Sequence, residues 1–178
     1  MTVGPARYLA IAGRGAPGGA AFAQALSALY AVAFTIKMAK KFAGQDYAVM
    51  KLEGLWWGQR RGRWLIDEPQ RLWRWQLMIR VPSFVTPRDR RAALRMLAER
   101  GKDSSARRVK LETLREGRCV QMLHVGPYDQ EHRSLELMQD LAGAAQVRFR
   151  GRHHEIYLSD PRRVPPPRLK TILRQPVT

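Results

Sequence analysis

Cysteine is almost missing from this chain. The single Cys119 among 178 residues excludes an internal disulfide and a metal site built on several thiolates. It is in keeping with a cytoplasmic location. The opening run MTVGPARYLAIAGRGAPGG has no basic stretch followed by an apolar one, so no signal peptide is expected. The longest apolar stretch, AAFAQALSALYAVAFTI, is interrupted by Gln24 and followed by Lys37, Lys40 and Lys41. It reads as a packed amphipathic helix rather than a membrane span. Acidic residues are scarce, 15 against 32 Lys and Arg, which gives a net charge of +17. Such an excess would favour nucleic acid or an anionic surface. Yet there is no helix-turn-helix signature, zinc-finger spacing or aromatic single-strand motif, and the arginines are spread along the whole chain. A solvated Arg-rich surface is the simpler reading, with nucleic acid as the weaker one.

What is present is an alternation of strand and helix patterns that occurs twice. Residues 8–17 (YLAIAGRGAP) read as a strand ending in a Gly/Pro turn. From Gly19 to Ala43, Phe22, Leu26, Leu29, Ala33 and Ile36 recur at helical spacing, and Gly44 is a stop. Strands follow at 47–58 (YAVMKLEGLWWG), broken near Gly54, and 73–82 (WRWQLMIRVP), then a helix at 87–101 with Pro at its start and Gly at its end. The second half gives strands at 109–117, 118–128 and 151–161, with a helix at 129–143 capped by Asp129. The last segment, PPPRLKTILRQP, with proline at both ends, reads as a C-terminal helix.

The plan implies one α+β domain over 1–178 made of two βαββ units. The first covers 1–86 and the second 109–178 with the C-terminal helix; 87–108 is a connecting helix. Setting Pro82 against Pro161 places Gln76 opposite Glu155 and Trp75 opposite His154. Two units are too few for a solenoid. A pseudo-two-fold pair of antiparallel sheets under helices is the alternative, and the seam between the units is a natural pocket.

Chemistry-bearing residues cluster near that seam. In HHEIYLS, strand alternation puts Glu155 and Tyr157 on one face and His154 and Ile156 on the other. Glu155 is then either a solvent-facing acid or the acid of a groove, where an apolar setting would raise its pKa and let it attract cations or take a proton from water. All five tryptophans, Trp56, Trp57, Trp64, Trp73 and Trp75, fall within one short stretch, more than one small core usually takes. Some can form a stacking wall. Glu53 is a second acid beside aromatics, or a strand-end ion pair. His153 and His154 point to opposite faces, so no metal is expected. Gly13–Gly19 lack a phosphate-loop pattern, so neither a nucleotide nor another cofactor is expected.

The stretches HVGPYDQE, YAVMKLEGLWWG, WRWQLMIRVPSFVTP and above all HHEIYLSDPRRVPPPRLKTILRQPV resemble the GyrI-like small-molecule-binding family over nearly the whole chain. The resemblance implies two pseudo-symmetric βαββ units with a groove between them and a strand glutamate in the groove, here Glu155. It is nearest the stand-alone branch without a DNA-binding domain. Some of that branch hydrolyse cyclopropanoid genotoxins, a Glu activating water to open the strained ring. On that resemblance Glu155, Tyr157 and Glu53 are the candidate catalytic residues. Trp57, Trp75, Tyr128, Trp56 and Tyr47 are the candidate ligand-binding residues. The implied partner is a flat aromatic or cationic small molecule. A non-catalytic drug-binding or sensor protein, and a gyrase- or nucleic-acid-interacting protein, are the alternatives. Gln76 stands where a second symmetric acid is expected.

Overall fold

The computed structural model describes residues 1–58, 68–102 and 104–178. Its strands are β1 (Thr2–Val3), β2 (Ala6–Arg14), β3 (Leu52–Trp57), β4 (Arg74–Val81), β5 (Lys110–Leu114), β6 (Gly117–Val125), β7 (His153–Tyr157) and β8 (Lys170–Pro176). They form one curled sheet in the order β1-β6-β8-β7-β3-β4-β2-β5. Every pairing is antiparallel. The helices are α1 (Ala20–Phe42), α2 (Pro87–Glu99) and α3 (Glu131–Ala144). The fold is α+β.

Alternation along the strands creates two faces. On the helix-covered face, α1 lays a stripe of Ala25, Leu29, Val32, Ala33 and Ile36 on the odd residues of β2 and β4, including Leu9, Ile11, Leu77 and Ile79. The alanines in that stripe let the helix sit close to the sheet, so this long apolar helix is a packed element. On the other face Tyr8, Ala10, Leu55 and Met78 form a second, smaller cluster. Thr86 caps α2 in a reciprocal box with Asp89, and Pro87 follows at the first helical position. Asp129 does not cap α3: a 3-10 turn at Tyr128–Gln130 comes first, and the helix begins at Glu131 without a side-chain cap.

Three expectations are corrected. The C-terminal segment is strand β8, not a helix. Its prolines sustain only a 3-10 turn at Pro166–Arg168. The residues that follow bury Thr171, Leu173 and Gln175 in strict alternation, a period of two that no helix can satisfy. The two units share one continuous sheet, joined where β3 pairs with β7, rather than forming two sheets.

The repeat also runs in a different register. Gly15 N–H donates to Trp73 C=O at 2.8 Å and Gly126 N–H donates to Leu169 C=O at 3.0 Å, the same bond in each unit. Carried through the strand pairings, that match sets β8 against β4 and β7 against β3. Glu155 is then equivalent to Gly54, and Tyr157 to Trp56. Gln76 is not the symmetric counterpart of Glu155, nor Trp75 of His154. The apparent match of WQLMIRVP with HEIYLSDP rests on two prolines that end strands of different rank.

Candidate functional site

A groove of about 2470 Å³ lies between α1 and α3, over the β3–β7 seam. Its floor carries Trp56, Glu155 and Tyr157. Phe22, Leu26 and Tyr30 line it from α1, and Glu131, Leu135 and Gln139 from α3. Trp56 stacks on Phe22, with centroids 5.9 Å apart and planes at 18°, and meets Trp73 edge-on at 6.0 Å. Tyr128 meets Tyr157 edge-on at 6.0 Å. Such walls suit a flat ligand, because ring faces and edges offer both dispersion and a favourable quadrupole.

The polar groups of the floor form one chain. The Trp56 indole N–H donates to Tyr157 Oη at 3.0 Å, and Tyr157 O–H donates to Glu155 Oε2 at 2.6 Å. The other oxygen, Glu155 Oε1, lies 3.4 Å from His153 Nε2. Burial, then the charge and hydrogen bond of Glu155, push the Tyr157 phenol far up. It therefore stays protonated and holds its direction as a donor. Gly54, directly across from Glu155, gives this chain its room: a Cβ there would stand 2.8 Å from Trp56 Nε1 and 3.1 Å from Tyr157 Oη.

Glu131 is the group that the sequence reading misses. It begins α3 and lines the groove, yet is only 7% exposed. Burial and then the charge of Glu155 push its carboxyl up to about 9. Its Oε1 has no hydrogen-bond partner among the described residues. Burial thus favours the protonated form of Glu131 at neutral pH, across the groove from the Glu155 side chain. A signal did exist in the sequence: Glu131, Ser134, Met138 and Ala142 form the sheet-facing stripe of α3, and an acid on such a stripe is out of place unless it works.

The structure brings Glu155, Tyr157, Trp56 and Tyr128 together. Trp57 alternates with Trp56 and so turns to the other sheet face, where it packs against the second cluster under the Arg152 guanidinium, 3.9 Å from its ring centroid, and meets the groove only at its rim. Other expected members lie elsewhere. Trp75 is a core residue, 1% exposed, with its indole N–H donating to Gly15 C=O at 3.2 Å. It follows the Leu77 and Ile79 alternation under α1, so it is no wall of the groove. Tyr47 sits edge-on to Phe84 at 5.8 Å, away from the seam, and burial pushes its phenol up to about 12. Glu53 neighbours Gly54 and so points to the opposite sheet face, where its Oε2 meets His154 Nε2 at 2.9 Å. It does not join Glu155 in the groove. Gln76 also faces away, bonded to Glu112 and Arg152. Trp64 lies outside the described residues.

The family model for the GyrI-like small molecule binding domain matches residues 88–178. An uncharacterised conserved protein from Listeria innocua is 36% identical over all of this chain and 90% of its own, with a TM-score of 0.92. The chain belongs to the GyrI-like small-molecule-binding family. A Listeria innocua protein described as a hydrolase is 35% identical over all of this chain and 90% of its own, with a TM-score of 0.88. The EcmrR C-terminal domain shares the fold at 8% identity, with a TM-score of 0.61 over all of this chain and 94% of its own. No curated protein matches.

Proposed function

We propose that this GyrI-like domain takes a flat, largely apolar molecule into the aromatic groove and hydrolyses a strained ring in it, a cyclopropane conjugated to a carbonyl being the substrate class that fits best. The observation that carries this reading is the pair of unlike carboxyl groups, Glu155 held by Tyr157 O–H and Glu131 buried and pushed up to about 9. An acid whose burial keeps it protonated, set near a second carboxyl held by a hydrogen bond, supplies a proton donor and a base to one site.

Glu155 takes a proton from water as the water oxygen bonds to a ring carbon. The strained carbon–carbon bond breaks, and its electron pair moves through the conjugated system to the carbonyl oxygen. Glu131 delivers its proton to that oxygen. The product is the ring-opened alcohol, and the proton gained by Glu155 and lost by Glu131 is re-exchanged with solvent. Tyr157 keeps Glu155 oriented by donating to Oε2, so Oε1 is the oxygen that faces the water. The aromatic walls exclude bulk solvent and hold the ligand plane. The hydrolase description of the Listeria relative supports the reaction class.

The test is a cyclopropanoid compound followed by its absorbance change on ring opening. Turnover by the intact protein is expected. Saturable binding without turnover would leave a non-catalytic binder of the same ligands.

A further inference from the structure

On the sheet face opposite the groove, directly beneath its floor, lies a buried ionic knot. His154 is 0% exposed. Its Nε2 stands 2.9 Å from Glu53 Oε2 and its Nδ1 2.9 Å from Glu116 Oε1. The two acids come from different units: Glu53 from β3, Glu116 from the turn that leads into β6. Arg174 of β8 donates to Glu116 Oε2 at 2.7 Å, and Arg150 donates to the Glu116 carbonyl at 2.6 Å. Tyr8 of β2 faces Glu53, whose charge and hydrogen bond add to burial in pushing that phenol up. Cys119 of β6 is a further titratable neighbour of Glu116, its thiol pushed up by burial first and then by that acid. On their own strand His153 and Glu155 point the other way, into the groove.

Ionised carboxylates only accept hydrogen bonds, so an imidazole between two of them must carry a proton on both nitrogens. Removing the His154 proton would aim a bare nitrogen lone pair at a carboxylate oxygen, and one buried acid would lose its compensation. The consequence reaches the groove through the backbone. His154 precedes Glu155, and Glu53 precedes Gly54. Gly54 and Glu155 are cross-strand partners at the centre of the floor.

We propose that His154, clamped between Glu53 and Glu116, is a positioning residue that holds β7 against β3 and so sets Glu155 and Tyr157 against Trp56 in a proton-dependent way. The proposal rests on the reading of this groove as the working site, but its test needs no ligand. Burial opposes the charge on His154, and the hydrogen bonds and charges of Glu116 and Glu53 outweigh it, so the imidazolium persists above the usual histidine range. The clamp is complete below that range and is lost as pH rises through the raised value.

The test uses the full chain with histidine and tryptophan nitrogens labelled, in the Glu131→Gln background, so that no titration of Glu131 reaches the floor. The two ring nitrogens of His154 are followed by long-range proton–nitrogen correlation, and the Trp56 indole N–H reports on its bond to Tyr157. The expected result is two protonated nitrogens at pH 7, and a Trp56 shift with the same midpoint as His154 on raising the pH. Glu116→Gln should lower both midpoints together, by about one unit or more, because a charged partner is lost. Glu53→Gln should do the same, and serves if the first variant does not fold. A single neutral tautomer at pH 7, or a Trp56 midpoint that stays in place while that of His154 moves, would overturn the proposal. Either result can occur whether or not the groove turns over a cyclopropanoid, so the two readings fail separately.

Discussion

Gly54 and Glu155 face each other across the β3–β7 pairing and are also each other's counterparts in the two units. The fold therefore places one acid, not two, at its pseudo-two-fold axis, and fills the equivalent position with empty space. That space is taken by the Trp56 indole and the Tyr157 hydroxyl. Gly54→Ala is expected to push these two groups apart, costing about 1–3 kcal/mol of stability and weakening ligand binding. Denaturant unfolding and a binding titration on the same variant check both effects.

Trp75 and Tyr128 should separate core from groove. Trp75→Ala removes a fully buried indole packed on Phe22 and over Gly13. It should cost about 3–5 kcal/mol. Tyr128→Ala, at a half-exposed ring that lines the groove, should cost clearly less in unfolding free energy while weakening ligand binding. Equal losses of stability in the two variants would contradict the placement.

Tyr157→Phe breaks the chain from Trp56 to Glu155 at its middle. The Trp56 N–H is left buried without an acceptor, a cost of about 1–3 kcal/mol. Turnover should fall more than affinity, because the ring remains while the orientation of Glu155 is lost. A kcat/KM loss carried entirely by KM would count against the positioning role.

Glu131 should leave a signature in the pH dependence of stability. Its folded-state pKa is raised to about 9, so the folded protein holds this proton over a range where the unfolded chain has released it. Its contribution is fully present below the ordinary carboxyl range and is lost as the pH climbs towards about 9. Glu131→Gln cannot ionise, so its stability relative to the wild type should rise between pH 5 and pH 9. Unfolding midpoints of the two proteins across that range decide it.

Much of the architecture is legible in the sequence because periodicity reports packing. The α1 stripe, the Pro-started α2 and the alternation of β4 and β7 all follow from which residues must be dry. The C-terminal strand misleads because its prolines mimic a helix start, while the alternating Thr171, Leu173 and Gln175 carry the stronger signal. At the site, parity alone separates Glu155 from His154. It does not reveal that β3 is the strand next to β7, since pairing order is a property of the whole sheet. Hence Glu53, read as a partner of Glu155, lies on the opposite face. Glu131, which does approach Glu155 across the groove, comes from a helix that no strand pattern brings near.

The central claim is that Glu155 is the working base of the groove. Glu155→Gln keeps size and leaves Tyr157 a hydrogen-bond acceptor, so folding and ligand binding should persist. The deciding measurement is single-turnover ring opening of a cyclopropanoid, followed by absorbance, in wild type and Glu155→Gln at equal ligand saturation. The account predicts a loss of at least about a hundredfold, the scale of a general base. An unchanged rate in a folded, ligand-saturated Glu155→Gln protein would contradict it.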